Sequence, residues 1–454
     1  MPTQTHRLPD PPLLCEFPLN LATRLLPPGD IRATPEQRAA YLRFTQAGDP
    51  PADAVVAMIR RLPTGEGRRL FETAVEQGID AIEDPPDELV AFFAAVDVPY
   101  WVDTDRLDLA CRVIGRTGAA GITALAMLAL MGGYMASRVA KILVGTGDLE
   151  RMAPRRIAQT TKWFTEVTTP GGLQRHAPGF TNTLRVRLMH AMVRAGMNRR
   201  PDWDYAAWDH PVNQSTIAGT TLLFAVAHLA GSQALGLHFD RAERAAIYHL
   251  WRYVGHLLGC DPAILPADES DYWKLFWLQA DYEFRTPDAD SIRLAQALMR
   301  AIGPAVAGEG CEPRHDLIRR VVTGLMCAYA RLVLGKTHSD FLELPDHKAF
   351  QAAVIALAAT TRILEYPRRV LPGATRLSEA FGRHCQLALA RRMITQHTGD
   401  TAAYGRHDHF ADAAHKPNPR SAAPREHLRS NPDPTPLLPA QAANARTPLS
   451  HSRP

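Results

Sequence analysis

One histidine lies between two arginines in TLRVRLMHAMVR, residues 183–194, a stretch that is otherwise largely apolar. On a helix turning about 100° per residue, Arg187, His190 and Arg194 fall within about 60° of one another. Two guanidinium groups are costly to bury without an anion, and they disfavour a protonated imidazole. The face predicts a neutral, metal-ligating histidine, and a haem fits it with an iron for the imidazole and propionates for the arginines. The alternative is a core histidine that hydrogen-bonds a neighbour.

A second polar pair lies upstream, in RRIAQTTKWFTEV. Arg156 and Thr160 are four residues apart, so they share one helix face, which Trp163 and Val167 continue. Arg156 can orient an oxygen species or an anionic group, and Thr160 supplies a hydroxyl. The alternative interpretation is a surface arginine and a threonine that caps a helix.

Other catalytic and metal-binding patterns are weaker or missing from the sequence. His249 and His256 are seven residues apart and share a helix face, but a metal pair would need carboxylates nearby. The pattern Glu-x-x-His occurs at Glu312 to His315, whereas a di-iron bundle needs two such motifs. No GxSxG, Walker A or HExxH motif occurs, so hydrolase and kinase functions have no local support. A dehydrogenase is equally unsupported, because no dinucleotide-type glycine-rich turn follows a strand.

Helical patterns follow one another along most of the chain, and period-2 alternation is scarce. The sequence therefore predicts an all-α protein. The first clear helix begins after Thr34, with a proline in its first turn and Gln37 completing a capping box. We expect an irregular N-terminal arm over residues 1–30, one large helical domain over residues 31–404, and a disordered proline-rich tail over residues 405–454.

The charge distribution and the apolar segments indicate whether nucleic acid or a membrane is a partner. The net charge is +4, and residues 405–454 alone carry seven Lys or Arg and four Asp or Glu, so the helical part is nearly neutral. A nearly neutral domain without a basic stripe argues against a nucleic-acid partner. Residues 118–137 contain no charged side chain and are long enough to span a bilayer. Their Gly and Ala content and missing aromatic belt favour a buried core helix over membrane association.

The missing export signals and the cysteine spacing predict an intracellular protein. The N-terminus lacks the charged segment and apolar run of a signal peptide and has no twin-arginine pattern, so we expect a cytoplasmic location. The six cysteines lie far apart and form neither a CxxC pair nor a CxxCH motif. This spacing predicts buried free thiols, without a zinc knuckle or a covalently attached c-type haem.

Four motifs in a fixed order carry a resemblance to a known family. The order RRIAQTTKWF, TLRVRLMHAMVR, PVNQSTIAGTTLLFA and YHLWRYVGHLLGCDP resembles the rubber-oxygenase catalytic domain family. That family includes the bacterial latex clearing proteins and the fungal MpaB-type oxygenases. The resemblance is most specific from Gly115 to Lys274 and extends through most of residues 35–400. It implies a globin-like, all-α domain that holds a b-type haem and uses O2 as co-substrate.

The resemblance also implies roles for individual residues. His190 matches the histidine that binds the haem iron on the proximal side. Arg156 and Thr160 match the Arg-x-x-x-Thr pair near the distal pocket. Arg187 and Arg194 would then hold the propionates, a role inferred from their shared helix face with His190 and not carried over from the family.

Two positions depart from the family pattern. Gln159 stands where latex clearing proteins can carry a lysine that closes the sixth coordination position of the iron. The distal acidic residue of the family is expected near residue 140, yet no Asp or Glu occurs between Asp108 and Asp148. The closed state and the identity of a catalytic base are therefore not implied for this chain.

The leading hypothesis is a haem b-dependent oxygenase that uses O2 to oxidise or cleave C=C bonds of an apolar, isoprenoid-like substrate. Because the chain shows no export signal, a soluble or membrane-derived terpenoid is favoured over latex polymer. One alternative is a non-catalytic haem sensor or carrier, which the missing acid would fit. Another is a helical protein without a cofactor, in which His190 is structural.

Overall fold

The fold is built from α-helices joined by short connections. The structure, a computed structural model, describes residues 31–145, 149–285, 287–307 and 313–398, together with Leu8, Pro12 and Leu13. No strand occurs among these residues, and the predicted all-α class is confirmed. The α-helices are, in chain order, α1 (Pro35–Phe44), α2 (Pro50–Arg61), α3 (Glu66–Gln77), α4 (Asp87–Ala94), α5 (Thr104–Arg116), α6 (Gly118–Ala124), α7 (Met131–Gly133), α8 (Ser137–Gly145), α9 (Leu149–Val167), α10 (Pro178–Met197), α11 (Tyr205–Trp208), α12 (Gln214–Leu222), α13 (His228–Ala234), α14 (Arg241–Leu257), α15 (Glu269–Glu283), α16 (Ala289–Ala307), α17 (Pro313–Phe341), α18 (Lys348–Val370) and α19 (Ala374–Thr398).

Side-chain caps set several helix starts. The predicted capping box of α1 is present, because Thr34 Oγ1 accepts from the Gln37 amide at 3.2 Å and Gln37 Oε1 accepts from the Thr34 amide at 2.9 Å. Asp240 and Glu243 form the same reciprocal pair at the start of α14. Each box satisfies two backbone N–H groups that a helix start leaves without intrahelical partners.

A group of aromatic rings in the core joins the elements that carry the site. Phe224 stacks on Trp251 of α14 with ring centroids 4.7 Å apart, and the Phe164 ring of α9 lies parallel to Trp251 at 6.2 Å. Trp163 meets Phe224 edge-on at 5.4 Å. Such pairs each contribute about 0.5–1.5 kcal/mol beyond the burial of their apolar surface. They hold α9 in a fixed position relative to α14.

Residues 118–133 form one helical run that contains a π-helical turn, and the chain bends sharply where the run begins. The run begins at Gly118, whose φ is 55°, and it meets α5 at an angle of 93°. It continues through α6, the π-helical turn π1 (Leu125–Leu130) and α7. A Cβ on Gly121 would lie 2.6 Å from Cε1 of the buried His228, so this part of α6 requires glycine to pack against α13. The Gly-rich composition therefore reflects close helix packing in the core.

Two parts of the described chain are long and apolar enough to cross a membrane. One is Gln214–Ala234, and 72% of its apolar stretch is buried inside the protein. The other is the bent pair of α5 with the following run, residues 104–133, taken as one span. The burial of Gln214–Ala234 is typical of a core helix in a large α-domain.

Several sequence predictions lie wholly or largely outside the described residues. The predicted disordered tail, 405–454, is one of them, and only Leu8, Pro12 and Leu13 of the predicted arm are described. The Leu13 amide donates to Asp281 at 2.7 Å. Four cysteines are described as free thiols, three of them buried, as predicted: Cys111, Cys260, Cys327 and the partly buried Cys385.

Candidate functional site

Helices α9 and α10 form a hairpin that carries all of the sequence-predicted site residues. Trp163 Nε1 of α9 donates to Thr183 Oγ1 of α10 at 3.0 Å. Near the connecting loop, a Cβ on Gly179 would lie 2.6 Å from the Gly172 carbonyl oxygen and 2.9 Å from Val167 Cα. The two helices therefore run antiparallel, in close contact at the closed end of the hairpin.

Helix geometry brings Arg156 and His190 to the same level of this hairpin. Each lies seven residues, or nearly two turns, from one member of the bonded pair Trp163 and Thr183. Both are therefore displaced by about 10 Å in the same direction and stay on the faces that the bonded pair occupies. Helix geometry therefore places Arg156 and His190 at corresponding levels of the two helices.

Thr160 marks an opening on the buried face of α9. It points in the same direction as Trp163, Phe164 and Val167, which are all buried, yet Thr160 itself is exposed. Thr160 is therefore an accessible polar position on this face, and Arg156 lies one turn from it.

His190 is a neutral imidazole enclosed by protein. Burial, followed by the nearby Arg194 cation, lowers the pKa of His190 to about 4, although Asp49 acts in the opposite direction. The Nδ1 atom is buried and has no hydrogen-bond partner in the described part of the chain. The residue nevertheless keeps accessible surface. A side chain that is desolvated and still partly accessible lines an internal space, and this one presents a neutral nitrogen.

Arg187 and Arg194 bind carboxylates of α2 and its N-cap. Arg187 forms a bidentate pair with Asp49, from Nε at 2.7 Å and Nη2 at 2.8 Å. Arg194 donates from Nε to Asp53 at 2.8 Å and from Nη1 to the Val212 carbonyl at 2.9 Å. Both guanidinium groups have carboxylate partners, and Arg187 Nη1 is buried without a hydrogen-bond partner among the described residues. The role of these arginines as propionate partners therefore stays a prediction. We assign them to holding α10 against α2.

Arg156 extends from α9 toward the segment before it. Its Nη1 donates to the Leu143 carbonyl of α8 at 3.4 Å. Burial lowers the pKa of the guanidinium, and the phenol of Tyr134 acts against that shift. Burial in turn raises the pKa of Tyr134. A partly buried cation and a protonated phenol thus lie near each other, and both are hydrogen-bond donors at neutral pH.

Two π-helical turns occur in the described structure, and the sequence did not predict them. They are π1 and a second turn, π2 (Leu223–Ala227), which joins α12 to α13. A Cβ on Gly133, just after π1, would lie 3.3 Å from Leu223 Cδ1, which shows how closely the two runs approach. Single π turns in α-helices occur frequently at functional sites. The apolar repeats TALAMLAL and TTLLFAVA gave no sign of the wider turn.

The other core histidines have structural partners. His249 Nε2 accepts from the Asp103 amide at 2.9 Å, and His256 Nε2 lies 3.0 Å from the Asp97 carbonyl oxygen. His228, which sequence reasoning missed, is fully buried with Nε2 3.4 Å from Thr117 Oγ1. A lone histidine in an apolar helix carries no motif, so only the packing reveals it.

Acid is expected to weaken folding through His228. Its pKa is lowered from 6.5 to about 4 by burial. As pH falls from 6.5 toward 4, His228 binds a proton in the unfolded chain but stays neutral in the folded chain. Folding stability is therefore lost across this pH range. The loss approaches about 3 kcal/mol near pH 4. Urea unfolding at several pH values should show that the free energy of unfolding depends less on pH in His228→Gln than in the exposed control His347→Gln. Equal pH dependence of the two variants would contradict this.

The donor set fits a haem better than a bare metal ion. Within the residues described, no three His, Cys, Asp or Glu side chains converge to form a ligand set. A porphyrin brings four nitrogen ligands of its own and requires one imidazole from the protein. His190 supplies that requirement, since it is neutral, enclosed, and unpartnered at Nδ1.

The fold and site define an all-helical protein in which one helix of a hairpin carries an enclosed histidine and the other carries an Arg–Thr pair. The chain belongs to the family described as ER-bound oxygenase mpaB/B'/Rubber oxygenase, catalytic domain, whose profile matches residues 115–363. The resemblance drawn from the four motifs is thereby confirmed.

Two known proteins are similar to this chain. The rubber oxygenase of Streptomyces sp. (strain K30) is 24% identical over 178 residues, which cover 37% of this chain and 42% of that protein. The chain thus matches less than half the length of this relative. The structure of latex clearing protein LCP in the closed state aligns with a TM-score of 0.56 at 20% identity, over 76% of this chain and 91% of that one. This second likeness is one of fold.

Proposed function

We propose that this protein is a haem b-dependent oxygenase that uses O2 to oxidise or cleave C=C bonds of an apolar, isoprenoid-like substrate. The observation that carries the proposal is His190, a neutral enclosed imidazole on the helix that pairs with the helix of Arg156 and Thr160. Family membership supports the oxygenase class. The similar Streptomyces protein, named rubber oxygenase, supports an apolar substrate.

His190, Arg156 and Thr160 each have a distinct role in this proposal. His190 would bind the iron through its neutral ring, because a pKa of about 4 keeps it unprotonated at physiological pH. A bound haem would supply an iron with a coordination position left for O2. Arg156 would orient an oxygen or anionic atom through guanidinium N–H groups that stay protonated. The Thr160 hydroxyl can donate or accept beside it.

Apolar side chains near the helical hairpin support a hydrocarbon substrate. Residues of both π turns keep accessible surface, among them Leu128, Leu223 and Phe224. Apolar walls with a few polar groups are typical of pockets that bind apolar molecules, since the walls exclude water and the polar groups fix orientation. An isoprenoid matches this lining better than a sugar or nucleotide does.

A non-catalytic haem sensor or carrier is the second candidate. It is favoured by the lack of an acidic residue between Asp108 and Asp148. The family resemblance leads one to expect an acid near residue 140, and Ala140 itself is fully buried against Leu294 and Ala297. A carrier needs the haem ligand but no proton-transfer group, so the two candidates differ in turnover and share the cofactor.

The test is oxygen incorporation. The ferrous, haem-loaded protein is incubated with short isoprenoids under 18O2, and the products are analysed by mass spectrometry. The proposal predicts labelled aldehydes or ketones and O2 consumption that depends on the alkene. An intact haem that yields no labelled carbonyl across a broad alkene panel would support the sensor or carrier.

Arg156→Ala and Thr160→Ala are expected to retain haem and lose activity. Removing a donor that acts on the reacting atoms typically lowers turnover by about 100-fold, whereas the iron ligand is untouched. The matched controls are Arg155→Ala and Thr161→Ala, because each neighbour points away from the shared face. Wild-type turnover in both Arg156→Ala and Thr160→Ala would show the distal assignment to be wrong.

A further inference from the structure

The helical hairpin of α18 and α19 ends in an exposed apolar surface. Large apolar side chains protrude on both sides of the connecting residues 371–373, with exposed fractions of 70% for Tyr366, 71% for Phe381 and 64% for Leu364. We name this surface the hairpin tip and define it by its six residues: Ile363, Leu364, Tyr366, Leu371, Leu377 and Phe381. From it we infer that the hairpin tip is a docking face for an anionic lipid surface, an inference that does not depend on the proposed oxygenase activity.

Helix α18 contacts the rest of the described structure through one narrow face. Val354 and Glu365 are its only buried residues, and Glu365 accepts a hydrogen bond from the His238 amide at 3.1 Å. Turned away from that face, α18 presents Ile355, Ile363 and Tyr366 within about 80° of one another. These residues form a continuous stripe without a partner among the described residues. Such an exposed apolar stripe typically marks an interaction site.

The same hairpin carries an unusual charge. Residues 348–398 contain eight Lys or Arg and two Glu, a balance of +6, whereas the whole chain carries +4. Arg362, Arg369 and Arg376 are exposed, and none forms an ion pair with any residue that the structure describes. Basic side chains thus flank the apolar tip. Helices that lie in an anionic membrane interface combine these two properties.

The charge distinguishes between the occupants that such a surface could have. A second copy docked tip to tip would bring two strongly positive hairpins together, and like charges oppose association. Residues 405–454 are also net positive, so they are not complementary to the tip. An uncharged hydrocarbon particle would leave the arginines without counterions. Anionic lipid headgroups pair with the arginines while the acyl region receives the apolar side chains.

The expected mode of binding is peripheral. Tyr366 and Phe381 would enter the interface, where aromatic rings are favoured, and Arg362, Arg369 and Arg376 would remain at headgroup level. Helix α18 is not among the segments that are long and apolar enough to cross a bilayer. The affinity should therefore decline as salt screens the arginines from the headgroups.

Vesicle co-sedimentation of the full chain tests this inference. We expect binding to vesicles of equal phosphatidylglycerol and phosphatidylcholine at low salt, and much weaker binding to phosphatidylcholine alone. Tyr366→Ser combined with Phe381→Ser should weaken binding at least about tenfold, since two aromatic side chains no longer leave water. Each of Arg362→Gln, Arg369→Gln and Arg376→Gln should weaken it about fivefold, the equivalent of about 1 kcal/mol per basic residue.

The matched control is Tyr100→Ser, which removes a fully exposed tyrosine outside the hairpin and should leave binding unchanged. Circular dichroism checks that each variant keeps its helix content. The inference is overturned if the wild type does not bind anionic vesicles, or if the Tyr366→Ser/Phe381→Ser variant binds them as strongly as the wild type does. It is also overturned if binding is the same with and without phosphatidylglycerol. Self-association of the wild type that this double variant abolishes would identify a second copy as the occupant instead.

Discussion

His190→Ala is expected to purify without haem while keeping the helix content of the wild type. The substitution removes the enclosed imidazole proposed to bind the iron, and α10 contains no other histidine that could replace it. Haem retention should fall by at least about 10- to 100-fold, because even the loss of an outer partner of a metal ligand has effects of that size. The absorbance spectrum of the purified variant measures the loss.

The control for this variant is His228→Gln, which also removes a buried neutral histidine. It is expected to retain haem, since His228 lies beside Thr117 and is not on the hairpin. Full haem occupancy in His190→Ala would assign the iron to another imidazole. His249 and His256 would then be the next positions to substitute.

Arg187→Met is expected to lower the free energy of unfolding by about 3–5 kcal/mol. Arg187 and Asp49 are exposed by only 3% and 2%, and their bidentate pair joins α10 to the start of α2. Removing the arginine leaves a buried carboxylate without its partner, which is the costly way to break a buried ion pair. Urea unfolding of the apoprotein measures the change.

This experiment also tests whether Arg187 acts in folding or in haem binding. Its control is Glu88→Ala, which breaks the exposed pair with Arg61 and should change stability by less than about 1 kcal/mol. If Arg187 held a haem propionate instead, Arg187→Met would weaken haem binding and leave the stability of the apoprotein unchanged. That result would support the predicted propionate role.

The fold class and part of the site could be predicted from sequence because they depend on local patterns. Helical periodicity identified the helices, and the Thr34 capping box fixed the start of the first one. Spacing along a helix placed Arg156 with Thr160 on one face. It also placed His190 beside a cation, and Arg194 does disfavour protonation of that ring, second to burial.

The remaining features depend on contacts between distant parts of the chain. Asp49 is 138 residues from Arg187, and no local pattern links a carboxylate at a helix start to an arginine on another helix. The pairs of the two arginines with Asp49 and Asp53 were therefore not predicted from the sequence. The π turns also escaped prediction, because a wider helical turn depends on tertiary packing and not on a residue type.

The central claim is that this chain carries one haem b bound through His190. Its most direct test is a pyridine haemochrome assay on the purified full-length wild type, expressed with haem supply, beside His190→Ala prepared in the same way. We predict one haem b per wild-type chain and almost none in the variant. A wild type that stays colourless while fully folded, or a variant with equal haem content, would contradict the claim.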